Sequence, residues 1–302
     1  MDLLKKYKIE NFEEMVGHKN AIKFFKNVVN DYVKYPSSFI VEGEYGIGKT
    51  SIVYAFSNEM KKKYKKNKVF FYEFDSSRLS KDNIKDLCNL IKNNFLFHKD
   101  NIYIILFEEI QSIVRKVTQD SLLKILEIKA KNIIFFFTTT EYNKIIDTIK
   151  SRSLTIRLNL LSDDEVKFFI DKIIDKENIE INEEDKNLII NYCSGHLRDC
   201  LQLLNLYRND KDNFYNYVID YKKILFDYLN NQINDEELYK YSVDKLLFFL
   251  YFVLKEYIDK IIIKDYERTI KILDIYFKYK NNVVNINDFI LFIKMLKKAI
   301  WI

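Results

Sequence analysis

Apolar positions along this chain follow two different patterns. Up to about residue 158 they gather in five short, nearly unbroken runs: 38–42, 69–74 (VFFYEF), 102–107 (IYIILF), 133–138 (IIFFFT) and 154–158 (LTIRL). Stretches with helical spacing separate them. Strands apolar on both faces that alternate with helices predict a parallel sheet covered on each side. Beyond Leu158 the strand runs stop. Ser162-Asp163-Asp164-Glu165 has the form of a capping box and opens a helix to about Lys176, and Asn182 caps another. From about Tyr207 to Ile302 apolar residues recur every three or four positions. The pattern predicts an α/β domain over 1–160, a small helical lid over 161–206 and an all-α domain over 207–302. The longest uncharged apolar run, 246–254 (LLFFLYFVL), is about half of what a bilayer span needs, so it predicts a core helix and no membrane partner.

Composition narrows this picture only a little. A hydrophobic content of 48% is ample for a core, and the net charge of +5 permits nucleic-acid contact without demanding it. Lys, Ile, Asn, Tyr and Phe are all abundant, which weakens any argument from a single lysine. The lysine-rich run 61–68 (KKKYKKNK) reads as a solvated helix end. Cys88, Cys193 and Cys200 are isolated and odd in number. They predict buried fillers in a reduced, cytoplasmic setting and neither a disulfide framework nor a zinc module. Residues 1–14 are charged throughout, unlike a signal peptide.

Glycine is informative because there are only five. Gly43, Gly46 and Gly48 lie in GEYGIGKT, residues 43–50, between the strand run at Phe39-Ile40-Val41 and a helix predicted from Lys49 to Met60. This is the G-x-x-x-x-G-K-[ST] phosphate loop. Its backbone N–H groups wrap phosphates, Lys49 reaches the β- and γ-phosphates, and the Thr50 hydroxyl binds Mg²⁺. Glu108 and Glu109 end the third strand run, at the sheet edge where ligands bind in parallel α/β folds. An acidic pair there either caps the strand into a loop or holds Mg²⁺ and polarises an attacking water. Thr138-Thr139-Thr140 ends the fourth run, where a hydroxyl can orient that water. Arg152 precedes the fifth run and Arg198 follows the turn at Gly195. Each is either a surface residue or an arginine aimed at a γ-phosphate.

In this order the residues resemble the AAA+ clamp-loader ATPases over about 6–206. Lys6-Tyr7, Phe12 and Val16-Gly17-His18 resemble the family's amino-terminal stretch near the adenine. GEYGIGKT matches the Walker A loop, and FDSSRLSKDNIKDL (74–87) is similar to the segment after the second strand. FEEIQSI fills the Walker B position, SLLKILE (121–127) resembles the helix of that form, and TTTEYNKI (138–145) resembles the sensor 1 strand end. Ser151-Arg152-Ser153 resembles the Ser-Arg-Cys motif that lends an arginine finger to a neighbour. Gly195-His196-Leu197-Arg198-Asp199 resembles the sensor 2 helix.

The resemblance implies an ATP- and Mg²⁺-dependent ATPase. Nucleotide contacts fall on Gly43, Gly46, Gly48, Lys49, Thr50, Ser51, Val16 and Gly17. Magnesium falls on Thr50 and Glu108, with Glu109 activating water, Thr140 and Arg198 as sensors and Arg152 acting in trans. Implied partners are other subunits of a pentamer joined by a collar (207–302), a sliding clamp, and primer–template DNA near Arg78, Lys81, Arg115 and Lys116. The chain departs from the family pattern at several points. Glu108 stands where the Walker B aspartate is usual, Ser153 where cysteine is usual, and the usual prolines and four-cysteine zinc module are missing. Two alternatives stay open: a non-hydrolysing structural subunit, or another AAA+ machine such as a helicase loader or branch-migration motor. The sequence leaves Trp301-Ile302 as packing residues or a docking tail.

Overall fold

In a computed structural model the described residues are 2–301, except 66–67, 80, 92–94, 96–97, 99, 114–121, 123–125, 128–129, 194, 242 and 262–264. The chain forms two compact units. One comprises Met1–Ile181 with Cys193–Gln202, the other Asn182–Tyr192 with Leu203–Ile302.

In the first unit a short helix α1 (Leu3–Lys6) and helix α2 (Lys19–Asn30) precede β1 (Ser38–Glu42). Helix α3 (Lys49–Lys63), β2 (Val69–Asp75), α4 (Lys81–Leu90), β3 (Ile102–Glu108), β4 (Ile133–Thr139), α5 (Asp147–Lys150), β5 (Leu154–Arg157) and α6 (Asp163–Glu177) follow. All five apolar runs are strands. They form one sheet in the order β2-β3-β4-β1-β5, and every pair is parallel.

The period of two along each strand splits its side chains between two cores. Phe39, Val41, Ile104, Leu106 and Phe136 meet Phe25 of α2 and Ile52, Val53 and Phe56 of α3 on one face. Ile40, Ile105, Phe107, Phe135 and Phe137 meet Ile84 and Leu87 of α4 on the other. Burial on both sides explains why these strands read as unbroken apolar runs. A row of stacked rings, Phe74–Phe107–Phe137, spans β2, β3 and β4 at centroid distances of 5.5 and 5.2 Å. It lies just below the carboxyl ends of the three strands and gives them a rigid base.

Helix α6 starts at the predicted capping box. Ser162 Oγ accepts from Glu165 N at 3.3 Å, and the Glu165 carboxylate accepts from Ser162 N at 3.0 Å. Asn182 Oδ1 accepts from Asp185 N at 2.7 Å, the cap bond expected of it at the head of α7 (Glu183–Cys193). The SLLKILE segment lies largely outside the described residues, as does the side chain of Cys88. Cys193 and Cys200 are buried and unbridged.

The second unit is helical. It takes in most of α7, the end of α8 (Leu197–Asn209), and then α9 (Lys211–Leu229), α10 (Asp235–Leu238), α11 (Val243–Ile261), α12 (Tyr266–Tyr279) and α13 (Ile286–Trp301). Helix α9 packs on α11 through Tyr221 against Phe249 and Phe226 against Tyr257, and α12 meets α13 through Tyr276 against Phe292. The run 246–254 lies inside α11, and its Leu246, Phe249, Leu250, Val253 and Leu254 are buried as core residues. Among the described residues no helix is long and apolar enough to cross a membrane. Ile302 lies outside the described residues, and so does the side chain of Trp301.

Candidate functional site

Parallel strands place all their carboxyl ends on one edge. Register pairs Glu42 with Thr139 and Asp75 with Glu108, so the loop after β1, the acidic pair after β3 and the threonines after β4 converge there. The loop runs from Gly43 to Gly48 and enters α3. Gly48 is the residue before the helix and has φ +106°, a conformation that side chains rarely adopt. No side chain caps this helix start. The first N–H groups of a helix have no partner within it. The loop therefore presents uncapped donors and the positive end of the helix dipole, and a phosphate fits both.

Two charged residues of α3 and β3 set the electrostatics. Lys49 is only 5% exposed. Its ammonium donates to Glu44 O at 3.0 Å and lies 3.6 Å from Glu109 Oε1. Burial pulls the Lys49 pKa down, and the Glu109 carboxylate opposes that fall. Thr50 Oγ1 donates to Glu108 Oε1 at 2.6 Å. The extra methylene of a glutamate relative to an aspartate therefore does not keep the Glu108 carboxylate from the threonine. Burial raises the Glu108 pKa. The Thr50 hydrogen bond lowers it, while Glu73 of β2 and Glu109 raise it. Glu73 in turn accepts from Tyr54 Oη at 2.5 Å.

Glu109 has φ +48°, uncommon for a residue other than glycine and a small store of backbone strain. Its N–H donates to Thr138 Oγ1 at 3.1 Å. Gln111, which the sequence reading passed over, ties this corner together. Its side-chain amide donates to Glu109 Oε2 at 2.5 Å and to Thr140 Oγ1 at 2.8 Å, and accepts from Thr139 Oγ1 at 2.7 Å. Thr140 Oγ1 is itself 3.3 Å from Glu109 Oε2. The only sequence signal for Gln111 is its place two residues after an acidic pair.

The remaining predicted residues divide into those at this edge and those away from it. Arg198 reaches the phosphate loop through its backbone N–H, which donates to Gly46 O at 3.3 Å. Ser51 sits in the first turn of α3, after Thr50. Val16 is buried, and Gly17 packs against Leu161 and Glu165 at the head of α6. His18 links the two segments, its Nε2 donating to Ile47 O at 2.9 Å, and burial pulls its pKa down. Arg152 lies elsewhere. It precedes β5 and so sits at the amino end of that strand, across the sheet from the site, bonded to Thr148 O at 3.1 Å and Glu127 at 3.3 Å. Arg78 follows β2, exposed and paired with Asp75 at 3.1 Å, and Lys81 opens α4. Arg115 and Lys116 lie outside the described residues.

Among the described residues no cluster of three or more His, Cys, Asp or Glu side chains could hold a metal ion. Thr50 and Glu108 suit a Mg²⁺ that keeps its waters and takes further oxygens from a phosphate.

Comparison with known proteins adds family information. The family model described as "DNA polymerase III, delta subunit" matches residues 17–162. DNA polymerase III subunit gamma of Buchnera aphidicola (subsp. Schizaphis graminum) is 26% identical over 67% of this chain and 60% of its own length. The gamma/tau subunit of Mycoplasma genitalium is 28% identical over 69% of this chain and 37% of its own. The replication factor C small subunit of Methanothermobacter thermautotrophicus is 26% identical, over 67% and 61%. The chain thus spans less than two thirds of the length of these relatives. In fold, the chain is similar to the Thermotoga maritima RuvB Holliday junction branch migration motor. The TM-score is 0.55 and the identity 15%, over 67% of this chain and 65% of that one.

Proposed function

We propose that the chain, which is similar to clamp-loader subunits over about two thirds of its length, is an ATP-hydrolysing AAA+ clamp-loader subunit that helps open a sliding clamp and place it on primer–template DNA during replication. The observation that carries this reading is the paired geometry of Thr50 on Glu108 and Lys49 beside Glu109, with Gln111 and Thr140 behind Glu109.

The phosphates of ATP would lie against the N–H groups of the loop and the Lys49 ammonium. Thr50 and Glu108 would hold Mg²⁺, which when bound neutralises phosphate charge. Glu109, hydrogen-bonded by Gln111, would accept a proton from an attacking water. Thr140 shares that carboxylate and would report the γ-phosphate position. Val16 and Gly17 would flank the base, with Ser51 beside the phosphates. Arg152, lying away from its own site, would serve the site of a neighbouring subunit. Residues 161–206 would act as a lid and 207–302 as a collar that assembles a pentamer.

DNA would be held by phosphate contacts, with Arg78, Lys81, Arg115 and Lys116 as candidates, and binding would weaken steeply with salt. The reading as a structural, non-hydrolysing subunit rested on Glu108 alone, and the Thr50–Glu108 bond weakens it. The test is ATP turnover per subunit against protein concentration, with and without primed DNA. A rate that rises with both, and that Arg152→Ala removes in the assembled state only, supports the proposal. A rate that is flat in concentration and indifferent to Arg152→Ala contradicts the trans-acting arginine.

A further inference from the structure

The phosphate loop is bound to more than its own strand and helix. Three successive residues, 44 to 46, each touch the segment 196–198 within the same compact unit. Glu44 Oε2 lies 3.3 Å from His196 Nε2. Arg198 Nη1 donates to Tyr45 Oη, and the guanidinium carbon stands 4.6 Å from the centre of the Tyr45 ring. Gly46 O accepts from Arg198 N at 3.3 Å. Any side chain on Gly46 would place its Cβ 3.3 Å from Arg198 Cβ.

Tyr45 has no evident core role, being 57% exposed on a polar loop. Its ring and hydroxyl both serve the same guanidinium. A tyrosine face attracts a guanidinium, and its hydroxyl oxygen supplies an acceptor at the rim. A guanidinium has five N–H donors in a fixed fork, so one bond to Tyr45 leaves donors for a phosphate. An arginine that is already oriented loses less freedom when it meets an anion.

We propose that Tyr45 is a positioning residue that holds Arg198 over the phosphate loop before nucleotide arrives, so that the loop selects a nucleoside triphosphate over a diphosphate. The proposal rests on the nucleotide-site reading above. Selection follows because only a third phosphate extends from the loop toward a guanidinium fixed there, while the contacts of a diphosphate stay with the loop N–H groups and Lys49.

The test compares binding of magnesium ATPγS and magnesium ADP to the full chain by titration calorimetry. Wild type, Tyr45→Phe, Tyr45→Ala, Arg198→Ala, the Tyr45→Ala/Arg198→Ala double variant and Lys49→Ala are compared. Tyr45→Ala is expected to weaken ATPγS by about tenfold and Tyr45→Phe, which keeps the ring, by about twofold to threefold. ADP affinity stays within about twofold in both, which also shows that the loop remains folded. The double variant should lose no more than Arg198→Ala alone, because Tyr45 acts through Arg198. Equal losses for both nucleotides, or additive losses in the double variant, would overturn the proposal. If wild type and Lys49→Ala bound neither nucleotide, the underlying site reading would fall too, and that result is distinct from unselective binding.

Discussion

Two buried ionisable groups in this molecule are treated in opposite ways. In the helical unit, Asp185 is 3% exposed. It accepts from Tyr207 Oη at 3.0 Å, Tyr215 Oη at 2.6 Å and Asn182 Nδ2 at 3.0 Å. The network is closed by the protein itself, and burial with the Asp185 bond holds the Tyr207 phenol well above its usual pKa. At the sheet edge, Lys49 is almost as buried, but its carboxylate neighbour stands off at 3.6 Å, and burial lowers the Lys49 pKa against the opposing pull of Glu109. A carboxylate fully satisfied by hydroxyls and an amide supports the fold. A desolvated cation held by one carbonyl and a loosely paired carboxylate is a poor device for stability and a good one for binding an anion.

The contrast is broken most forcefully at Lys49. Lys49→Ala should reduce ATP turnover by at least about a hundredfold while leaving the melting temperature within about 2 °C of wild type. Steady-state hydrolysis and a thermal melt check the pair of outcomes, and a large loss of stability with little loss of turnover would reverse the roles assigned here. Asp185→Ala should do the opposite. It strands two tyrosine hydroxyls and the Asn182 amide N–H, so unfolding free energy should fall by about 2–3 kcal/mol in a denaturant titration. ADP affinity in the first unit should stay within about twofold.

Glu108 sharpens the comparison. Its folded pKa is raised, chiefly by burial, so the folded state holds this proton more readily than the unfolded chain. Its stabilising contribution is present at acid pH and is lost as pH rises through the folded value, which leaves an unfavourable half-buried charge at neutrality. Glu108→Gln should therefore raise the nucleotide-free melting temperature slightly, by about 1–2 °C at pH 7, while magnesium-dependent turnover drops. An unchanged turnover with added Mg²⁺ would remove Glu108 from the site.

The smallest effect is expected at His18, whose half-buried ring donates to Ile47 O. Its folded pKa is lowered by burial, so the unfolded chain binds the proton first. Stability should decline as pH falls below the ordinary imidazole value of about 6.5 toward the lower folded value. A melt series from pH 7.5 to 5.5 should show a shallower slope in His18→Gln than in wild type.

How much of this was legible in the sequence depends on how far apart the partners lie along the chain. The three inner strands were legible because burial on both faces writes a continuous apolar run, and the partly exposed edge strands β2 and β5 because they are rich in aromatic and β-branched residues; all bounds differ from the predicted runs by a residue at most. The turn from Gly43 into α3 was legible because its glycines and the helix start at Lys49 are contiguous in the sequence. The capping box at Ser162 and Glu165 is local for the same reason. Gln111 was not legible, because its bonds to Thr139 and Thr140 exist only once β3 and β4 are adjacent. Tyr45 and Arg198 stand 153 residues apart, and nothing local pairs a loop tyrosine with a helix arginine. The Asp185 network joins two helices and a helix head through tyrosines, in a chain with 22 of them, so composition masks it.

The central claim is that the carboxyl edge of the sheet is a nucleotide-hydrolysing site in which Glu109, held by Gln111, handles the attacking water. The most direct measurement is ATP affinity and ATP turnover in Glu109→Gln beside wild type, under assembled conditions with primed DNA. The account predicts ATP affinity within about threefold of wild type and turnover lower by at least about a hundredfold. Turnover that survives the substitution would contradict it.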